Sequence, residues 1–465
     1  MISCQPTQPP NLYYCDRQQI LEYFQNAWKI DECLMKSVID PHTFYTNPDP
    51  FRNLLIFYLG HSAVFYINKL IRVGLIKNRI NANFEILFEV GVDPEKPDDI
   101  AGIFANLKQV DVCQVWRYRQ QVYEHICELI QNLEISYPIN SEHSLWALIM
   151  AIEHQHIHIE TSSMLLRQLP VEQLRRPQNW QYAPTDNNRI DRTSRHLFHQ
   201  DDMIEVKGGI VKLGKPRDSS IYGWDIEYGD RLVDVDTFYV SKYLVTNADF
   251  LEFVKIGGYE NPDYWHKSAW EWKVDHNFHH PKFWLPKNNS YEYRAMFDEI
   301  DLPLSWPVEV NHHEAIAYCR WLGDDSRLMT EDEWYLATYG ISIEPHLISQ
   351  EKTKKIQPSA NYNLNLRVGS PSPVGSLDSA KNTSEICDLR GNVWEWLGSH
   401  LLPFAGYQPH TLYENYSATY FDEAHYMMAG GSWITNGTEA EQYYRNWFRP
   451  SFYQHAGFRV ATSIQ

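Results

Sequence analysis

The sequence predicts an α+β protein, in which an N-terminal four-helix bundle precedes a domain of short strands and long ordered loops. Through residue 170, apolar residues recur at the 3.6-residue spacing of amphipathic helices. Residues 171–200 are polar and contain proline and asparagine, a composition typical of a linker. Twelve of the sixteen tryptophans come after residue 200, among short β-like runs. We therefore predict a bundle over residues 1–170, a linker over 171–200 and a second domain over 201–465.

Four segments carry the helical pattern, and helix-breaking prolines lie at or between their ends. The segments are residues 16–38, 50–74, 110–133 and 141–169. The prolines are Pro48, Pro50, Pro94, Pro97, Pro138 and Pro170. Four such helices within 170 residues are typical of a helix bundle.

One apolar stretch, residues 54–71, is long enough to cross a bilayer. His61, Asn68 and Lys69 interrupt it, and each of these polar groups would be costly in lipid. We therefore interpret the stretch as a buried helix of the bundle, and we expect no membrane partner.

The composition excludes several further classes of partner and location. A formal net charge of −18 argues against a nucleic-acid partner, because phosphate binding needs a basic surface. The N-terminus lacks a basic segment followed by an apolar one, so no signal peptide is expected. The seven cysteines are scattered without a CxxC pair, which is typical of reduced thiols. A cytoplasmic location is expected.

The second domain shows short β-like runs and few helical ones. Residues 203–214 and 235–246 are predicted to form strands, whereas residues 312–324 are predicted to form a helix. Long irregular stretches with glycine and asparagine separate these runs.

The stretch EHQHIHIETSS, residues 153–163, contains three histidines spaced two apart. The surrounding segment has neither proline nor glycine, so we predict a helix, capped by Asn140 or Ser141. On a helix, His154 and His158 share one face, whereas His156 points about 200° away. Glu160 also lies about 200° from His158, so it is not expected to be a ligand on that face but to hold a neighbouring helix or a group around the ligands.

A third histidine faces the interior from another predicted helix. His61 shares a helical stripe with Phe57, Tyr58, Val64 and Phe65. An inward histidine is often only a hydrogen-bonded core residue, and a histidine pair can be a polar helix face. Together, the inward histidine and the inward pair predict a three-imidazole metal site in the bundle. Iron(II) would keep up to three open positions there, and zinc would also accept three histidines plus water.

Long motifs in both halves resemble one enzyme family. These motifs are IFYLGHSAVFYINKL, EHQHIHIETSSMLLRQLP, LRGNVWEWLGS and YYRNWFRPSFYQHAGFRVA. From about residue 17 to its end, the chain resembles the ovothiol-pathway 5-histidylcysteine sulfoxide synthases, which are relatives of the ergothioneine-pathway sulfoxide synthases. The resemblance implies a DinB-like four-helix bundle followed by a C-type-lectin-like, formylglycine-generating-enzyme-like domain. It also implies one non-haem iron(II) ion, bound by His61, His154 and His158.

The family reaction joins the thiol of cysteine to a ring carbon of histidine and oxidises the sulfur to a sulfoxide, with O2 as co-substrate. The resemblance thus implies cysteine and histidine as substrates. The methyltransferase domain that many ovothiol synthases carry is absent from the sequence, so a separate methyltransferase and a lyase are expected downstream. No Walker or Rossmann signature indicates an organic cofactor.

The resemblance also implies residue roles. The proton donor is expected to be Tyr407 or Tyr413, and the side chains expected to bind substrate are Arg117, Arg119, Arg445, Asn446, Trp447, Phe448, Arg449 and Phe452. Among the arginines, Arg119 matches the family motif best. Phe448 and Phe452 replace an acidic residue and an arginine suited to a γ-glutamyl tail, which favours free cysteine as the sulfur donor.

Other functions remain as alternatives. One is an ergothioneine-type synthase that uses hercynine with cysteine or γ-glutamylcysteine, and another is a zinc-dependent DinB-type thiol transferase. Formylglycine generation needs catalytic cysteines near the C-terminal GGSW segment, and none follows Cys387. A lectin-like binding module would leave an inward histidine trio without a role.

Overall fold

The computed structural model describes residues 7–89, 101–185, 203–288, 290–323, 325–341, 362–377 and 385–463. The helices of the N-terminal part are α1 (Arg17–Met35), α2 (Leu55–Arg72), α3 (Ala82–Leu87), α4 (Ala101–Leu107), α5 (Val112–Asn132) and α6 (Trp146–Arg167). The four long helices α1, α2, α5 and α6 lie within the four segments that the sequence predicts as helical. Both α1 and α2 pack against α5 and against α6, which is the arrangement of a four-helix bundle.

The start of α6 differs from the prediction. The helix begins at Trp146 with Leu145 as its N-cap residue, so the expected cap at Asn140 or Ser141 is wrong. The side chain of Asn140 accepts a hydrogen bond from the backbone N–H of Glu142, and His143 Nδ1 accepts one from the N–H of Leu145. These local bonds hold the preceding residues in turns and delay the helix by five residues relative to Ser141. The short helices α3 and α4 were not predicted.

The apolar stretch that could imitate a membrane span forms α2, and its side chains are buried in the bundle from Leu55 to Ile67. Across the part of the chain that the structure describes, no helix is both long and apolar enough to cross a membrane. The prediction of a buried bundle helix is therefore confirmed.

The second part combines short strands with four helices among the described residues. The strands are β1 (Met203–Val206), β2 (Gly209–Leu213), β3 (Arg231–Val235), β4 (Phe238–Ser241), β5 (Trp284–Lys287), β6 (Ser290–Arg294), β7 (Glu299–Asp301), β8 (Ser326–Arg327), β9 (Trp394–His400), β10 (Tyr426–Ala429), β11 (Asn446–Phe448), β12 (Ala456–Gly457) and β13 (Ala461–Ser463). The helices are α7 (Asn247–Lys255), α8 (Lys267–Asp275), α9 (His312–Leu322) and α10 (Glu331–Tyr339).

Two four-stranded sheets organise this part, with strand orders β1-β4-β13-β8 and β11-β10-β9-β12. Two smaller sheets, β2-β3 and β5-β6-β7, complete it. Strand β13, near the end of the chain, pairs antiparallel with both β4 and β8 and so closes the first sheet. The buried guanidinium of Arg459 binds both carboxylate oxygens of Glu395 in β9, at 2.9 and 3.0 Å, and thereby joins the two sheets.

The described part of the predicted linker packs against both domains. Near its start, the N–H of Arg175 donates to the carbonyl of Ser37 in the bundle, at 2.7 Å. Further on, Trp180 Nε1 donates to the carbonyl of Gly369, and the N–H of Ala183 donates to Ser370 Oγ, both at 2.9 Å. Residues up to 185 are thus ordered by contacts, and residues 186–200 lie outside the described residues.

Helix α6 meets the second domain through a polar stripe at heptad spacing. We call this set the docking stripe; its members are Glu153, His156, Glu160, Ser163 and Arg167. All five side chains are buried. Their spacing of three and four residues places them on one face of the helix, as in a coiled-coil seam.

Glu160 lies at the centre of the docking stripe and binds three donors of the second domain. Its Oε1 accepts from Trp394 Nε1 at 2.6 Å and from Ser432 Oγ at 2.8 Å. Its Oε2 accepts from Thr435 Oγ1 at 2.7 Å. Glu160 therefore holds the second domain, and not the neighbouring helix that the sequence led us to expect.

The C-terminal end of the docking stripe carries a buried ion pair. Arg167 Nη1 donates to Glu309 Oε1 at 2.7 Å, and Ser163 Oγ lies 2.8 Å from His455 Nε2. Burial would raise the pKa of Glu309, but Arg167 and His455 lower it to about 2. This end of the interface is therefore ionic, and both charges are satisfied across it.

Replacing Glu160 by alanine should destabilise the contact between the domains. Three buried donors would lose their acceptor, and each unsatisfied group costs about 1–3 kcal/mol. We expect the free energy of unfolding to fall by at least ~3 kcal/mol, as measured by denaturant titration. The exposed Glu172 provides a matched control, and Glu172→Ala should change stability by less than about 0.5 kcal/mol. Equal stability of the Glu160→Ala variant and the native protein would contradict the role assigned to this carboxylate.

Candidate metal centre

Helices α2 and α6 bring His61, His154 and His158 together inside the bundle. One ligand atom from each imidazole lies within 4.8 Å of those of the other two. The ring centroids are 4.4 Å apart for the pair on α6, and 5.0 and 4.7 Å from that of His61 to His154 and His158. His61 and His154 are buried, and His158 is partly buried. The helical pair and the inward histidine therefore meet at one point, as the sequence predicts.

A backbone carbonyl fixes the tautomer of His61. Its Nδ1 donates to the carbonyl of Phe88 at 2.6 Å, which leaves Nε2 free to bind a metal. Gly60 makes this contact possible, because a Cβ at that position would lie 2.7 Å from the Phe88 ring. Phe57 also stacks on the His61 ring, with centroids 4.8 Å apart. The imidazole is thus held in one orientation before any ligand binds.

The other two histidines have unsatisfied nitrogens. No described residue forms a hydrogen bond with either ring, and the buried Nδ1 atoms of His154 and His158 lack partners. Buried polar atoms without partners are rare and need an explanation. A ligand that accepts imidazole lone pairs supplies one, so these residues fit a metal ion.

The electrostatics of the trio also suit a metal. Burial lowers the pKa of His61 to about 4, and it lowers the pKa values of His154 and His158 well below the usual value. The neighbouring histidines lower the latter two pKa values further. All three imidazoles are therefore neutral at pH 7, which is the form that binds metals. Among the described residues no carboxylate joins this group, and three neutral imidazoles are a ligand set for iron(II) or zinc.

A buried polar network supports the metal centre from the side of α1 and α5. Arg119 donates to Asp31 Oδ2 at 2.6 Å, to the carbonyl of Leu59 at 2.7 Å and to Ser62 Oγ at 3.0 Å. Its guanidinium also lies over the ring of Trp28. Arg119, which is predicted to bind a substrate carboxylate, is enclosed in the bundle and paired with Asp31, and it holds α2 next to His61.

The two candidate tyrosines occupy different places. Tyr413 packs beside the centre, with its ring centroid 6.0 Å from that of His154 and 5.4 Å from that of Phe65. Tyr407 binds Asp225 Oδ2 at 3.1 Å and Ser417 Oγ at 3.0 Å, and no described contact joins it to the histidines. Burial raises the pKa of Tyr413 above its usual value, so its phenol is protonated at neutral pH. Of the two, the geometry favours Tyr413.

Lys69, which sequence reasoning did not assign to the site, anchors the segment that carries Tyr413. Its ammonium donates to the carbonyl of Leu412 and lies 4.6 Å from the Tyr413 ring centroid. Burial and the nearby Arg72 lower the pKa of Lys69 to about 8. Because Lys69 lies two turns after His61 on α2, this contact ties the second domain to the helix that carries a metal ligand.

The remaining predicted binding residues are spread over several environments. Arg117 is exposed on α5, and its Nε donates to the carbonyl of Cys113 at 3.4 Å. Arg445 is buried and binds both carboxylate oxygens of Glu331, at 2.6 and 2.9 Å. Neither arginine has a described contact with the histidine trio, since Arg117 is exposed to solvent and Arg445 forms an internal ion pair.

The segment after Arg445 lies nearer to the centre. The side chain of Asn446 accepts from the N–H of Trp447, and the Trp447 ring packs against Tyr416, with centroids 5.4 Å apart. Arg449 is partly buried. Phe448 and Phe452 both contact the guanidinium of Arg52, a residue that the sequence gave no reason to select.

The second histidine of the triplet serves the domain interface. His156 is buried, and its Nδ1 lies 3.3 Å from Glu153 Oε2, which also accepts two hydrogen bonds from Thr438. Gly437, at φ +66°, packs so closely that a Cβ there would lie 2.1 Å from His156 Nδ1. His156 is thus separate from the metal-binding face, as helical geometry predicts.

Comparison with known proteins identifies the second domain. Residues 189–464 match the family model of the sulfatase-modifying factor enzyme 1-like domain, which covers more than half of the chain. The chain therefore belongs to this family. The predicted formylglycine-generating-enzyme-like domain, with its C-type-lectin-like fold, is confirmed.

Several characterised relatives share this domain. Hercynine oxygenase of Mycolicibacterium smegmatis is 31% identical over 271 residues, which cover 56% of this chain and 61% of the relative. Ergothioneine biosynthesis protein 1 of Neurospora crassa is 23% identical over an alignment of 523 residues, which covers 98% of this chain and 59% of the relative. Formylglycine-generating enzyme of Mus musculus is 30% identical over 219 residues, 42% of this chain and 57% of the relative. The chain thus spans less than two thirds of the length of each.

Substitutions in the triplet should separate metal binding from domain contact. His154→Ala or His158→Ala removes a ligand and should weaken iron(II) binding by more than about 100-fold. His156→Asn should leave iron binding nearly intact while it lowers the free energy of unfolding, because His156 contacts Glu153 and Gly437. Iron content after anaerobic reconstitution and desalting measures the first effect, and denaturant titration measures the second. Equal loss of iron from His156→Asn and His158→Ala would contradict the geometry of α6.

Proposed function

We propose that this protein is a non-haem iron(II), O2-dependent sulfoxide synthase that joins a thiol to the imidazole ring of a histidine derivative. The observation that carries the proposal is the buried trio of neutral histidines, two of them without hydrogen-bond partners among the described residues. The names of the relatives, hercynine oxygenase and ergothioneine biosynthesis protein 1, support the same class of reaction. The four-helix packing and the resemblance of residues 56–70 and 153–170 support a DinB-like bundle as the iron-binding domain.

The reaction balances with one O2. The thiol and the ring carbon each lose a hydrogen as the C–S bond forms, and the sulfur then gains one oxygen atom. Each of these two oxidations releases two electrons, which together reduce O2 to the sulfoxide oxygen and one water. His61, His154 and His158 would hold iron(II), which would supply electrons to O2 and a Lewis-acid charge that favours the thiolate form of a substrate thiol.

The residues of the chain hold the reactants and deliver protons. The aromatic rings of Phe57 and Phe65 exclude water from two sides of the trio. We assign the proton donor to Tyr413, since its phenol is protonated and its ring packs against His154. Asn446 and Trp447 remain proposed contacts to the imidazole substrate, and Arg449 remains a proposed substrate contact.

The relatives favour hercynine as the imidazole substrate over histidine. Two of the names refer to hercynine or to ergothioneine biosynthesis. Histidine is the second candidate, because motifs in both halves of the chain, such as residues 56–70, resemble the ovothiol branch. Free cysteine is the proposed sulfur donor for either substrate, since Phe448 and Phe452 carry no charge to receive a γ-glutamyl tail.

The zinc-dependent thiol transferase explains less of the molecule. That activity would need the bundle alone, whereas the docking stripe buries five polar side chains of α6 against the second domain. Tyr413 then completes the surroundings of the trio from that domain, and Lys69 of the bundle anchors its segment. This shared site is the observation that favours the sulfoxide synthase.

Oxygen consumption tests the proposal directly. Anaerobically purified protein loaded with iron(II) should consume O2 with cysteine plus hercynine, and product mass should show C–S bond formation with one added oxygen. Parallel reactions with histidine, and with γ-glutamylcysteine, establish the substrate pair. Full occupancy by zinc, together with no O2 consumption after replacement by iron, would overturn the proposal.

The two tyrosines form a matched pair of test positions. Tyr413→Phe removes the proposed proton donor and should lower kcat for sulfoxide formation by about 100-fold, since general acid catalysis typically contributes that much or more. Tyr407→Phe removes a phenol that binds Asp225 and Ser417 and should change kcat by less than about threefold. Iron content should be unchanged in both variants. A larger loss in Tyr407→Phe than in Tyr413→Phe would reverse the assignment.

A further inference from the structure

Arg52 links the bundle to the second domain at the edge of the metal centre. It lies in the turn before α2 and is partly buried. Its guanidinium lies over the rings of Phe448 and Phe452, 5.5 and 5.0 Å from their centroids. The next residue, Asn53, donates its backbone N–H to Tyr58 Oη at 3.3 Å, and the Tyr58 ring centroid lies 6.1 Å from that of His158. Arg52 therefore occupies the His158 side of the trio, whereas Tyr413 occupies the His154 side.

The guanidinium of Arg52 has no anionic partner among the described residues, and none of them forms a hydrogen bond with it. Carboxylates bind four of the five arginines that are buried among the described residues, whereas the fifth, Arg294, donates to backbone carbonyls. The four carboxylate pairs are Arg119 with Asp31, Arg167 with Glu309, Arg445 with Glu331 and Arg459 with Glu395. A partly buried cation between two phenyl rings gains cation–π energy but leaves its N–H groups without acceptors.

We infer that Arg52 binds the α-carboxylate of an amino-acid substrate at the metal centre. The inference rests on the proposed function and specifies how that site recognises a substrate. A guanidinium binds a carboxylate through two parallel N–H donors along its edge. Contacts with Phe448 and Phe452 hold the group in place and leave those donors for a ligand. Both rings are uncharged, so this side of the centre suits one carboxylate.

The inference also gives a role to the two phenylalanines. Their rings come from the second domain, Phe448 in β11 and Phe452 in the following turn, whereas Arg52 comes from the bundle. The proposed carboxylate site is therefore complete only when the domains are docked. Phe448 and Phe452 act as positioning residues for Arg52 rather than as direct partners of the charge.

Both proposed substrates carry an α-carboxylate, so the test must separate them. We would titrate the iron(II) protein anaerobically with cysteine and cysteamine, and with hercynine and trimethylhistamine, and record each Kd calorimetrically. Cysteamine and trimethylhistamine lack only the carboxylate. In the native protein, one pair should show a preference of about 10- to 100-fold for the amino acid, as expected for charge-assisted hydrogen bonds.

In Arg52→Met that preference should fall to about one, while the other pair stays unchanged. The pair that loses its preference identifies the substrate whose carboxylate Arg52 binds. Methionine keeps length and apolar contact with the two rings but removes the donors. Arg52→Lys keeps the charge without the paired donors, and it should reduce the preference about three- to tenfold. This second variant keeps the test possible if Arg52→Met fails to fold.

Arg175→Met is the matched control, because Arg175 is exposed on the bundle surface and its removal changes the net charge equally. It should retain both preferences. Unchanged preferences in both Arg52 variants would overturn the inference and leave the proposed function intact. If instead the native protein binds neither amino acid, the proposed function itself fails. Iron content, measured in each variant, confirms that the trio is formed.

Discussion

Helix α6 must satisfy two partners at once, and this constraint organises the molecule. One face directs His154 and His158 toward α2, and the docking stripe on another face binds the second domain. Side chains on one helix keep fixed angular positions, so docking through Glu160 also fixes where the second domain meets the trio. Segments as distant in sequence as Leu412–Tyr413 then lie against α2 and His154. The contact between the domains and the formation of the site therefore depend on the same helix.

Buried charge follows a consistent rule in this protein. The polar groups of the docking stripe and of the network around Asp31 are paired, since a buried charge without a partner is strongly destabilising. At the metal centre, the buried Nδ1 atoms of His154 and His158 lack hydrogen bonds, and Arg52 lacks an anion among the described residues. Other buried polar atoms among the described residues also lack hydrogen bonds, so the convergence of three imidazoles, rather than the missing hydrogen bonds alone, indicates a site that ligands complete.

The helical periodicity of the sequence accounts for the part of the metal centre that could be predicted. Helical spacing alone separated His154 and His158 from His156, because angular position on a helix is set by the covalent chain. Helical spacing could not predict which side chains pair with the arginines. Asp31 lies 88 residues from Arg119, and the choice between Arg119 as a ligand-binding and as a structural residue depends on that contact. Arg52 could not be predicted for the same reason, because its aromatic partners, Phe448 in β11 and Phe452 in the turn after it, lie far away in sequence.

The charge of the site is complementary to the amino-acid substrates that we propose. Three neutral imidazoles leave a divalent ion with its full charge, and Arg52 adds another positive charge on the His158 side. Lys69 adds positive charge on the His154 side. Because its pKa is about 8, most of its ammonium groups are protonated at neutral pH. The chain has a formal net charge of −18, which repels anions at long range. At physiological salt, ions in solution screen this repulsion at distances beyond about 10 Å. A thiolate and a carboxylate on one small molecule neutralise both local charges together, which a simple thiol or a simple acid cannot do.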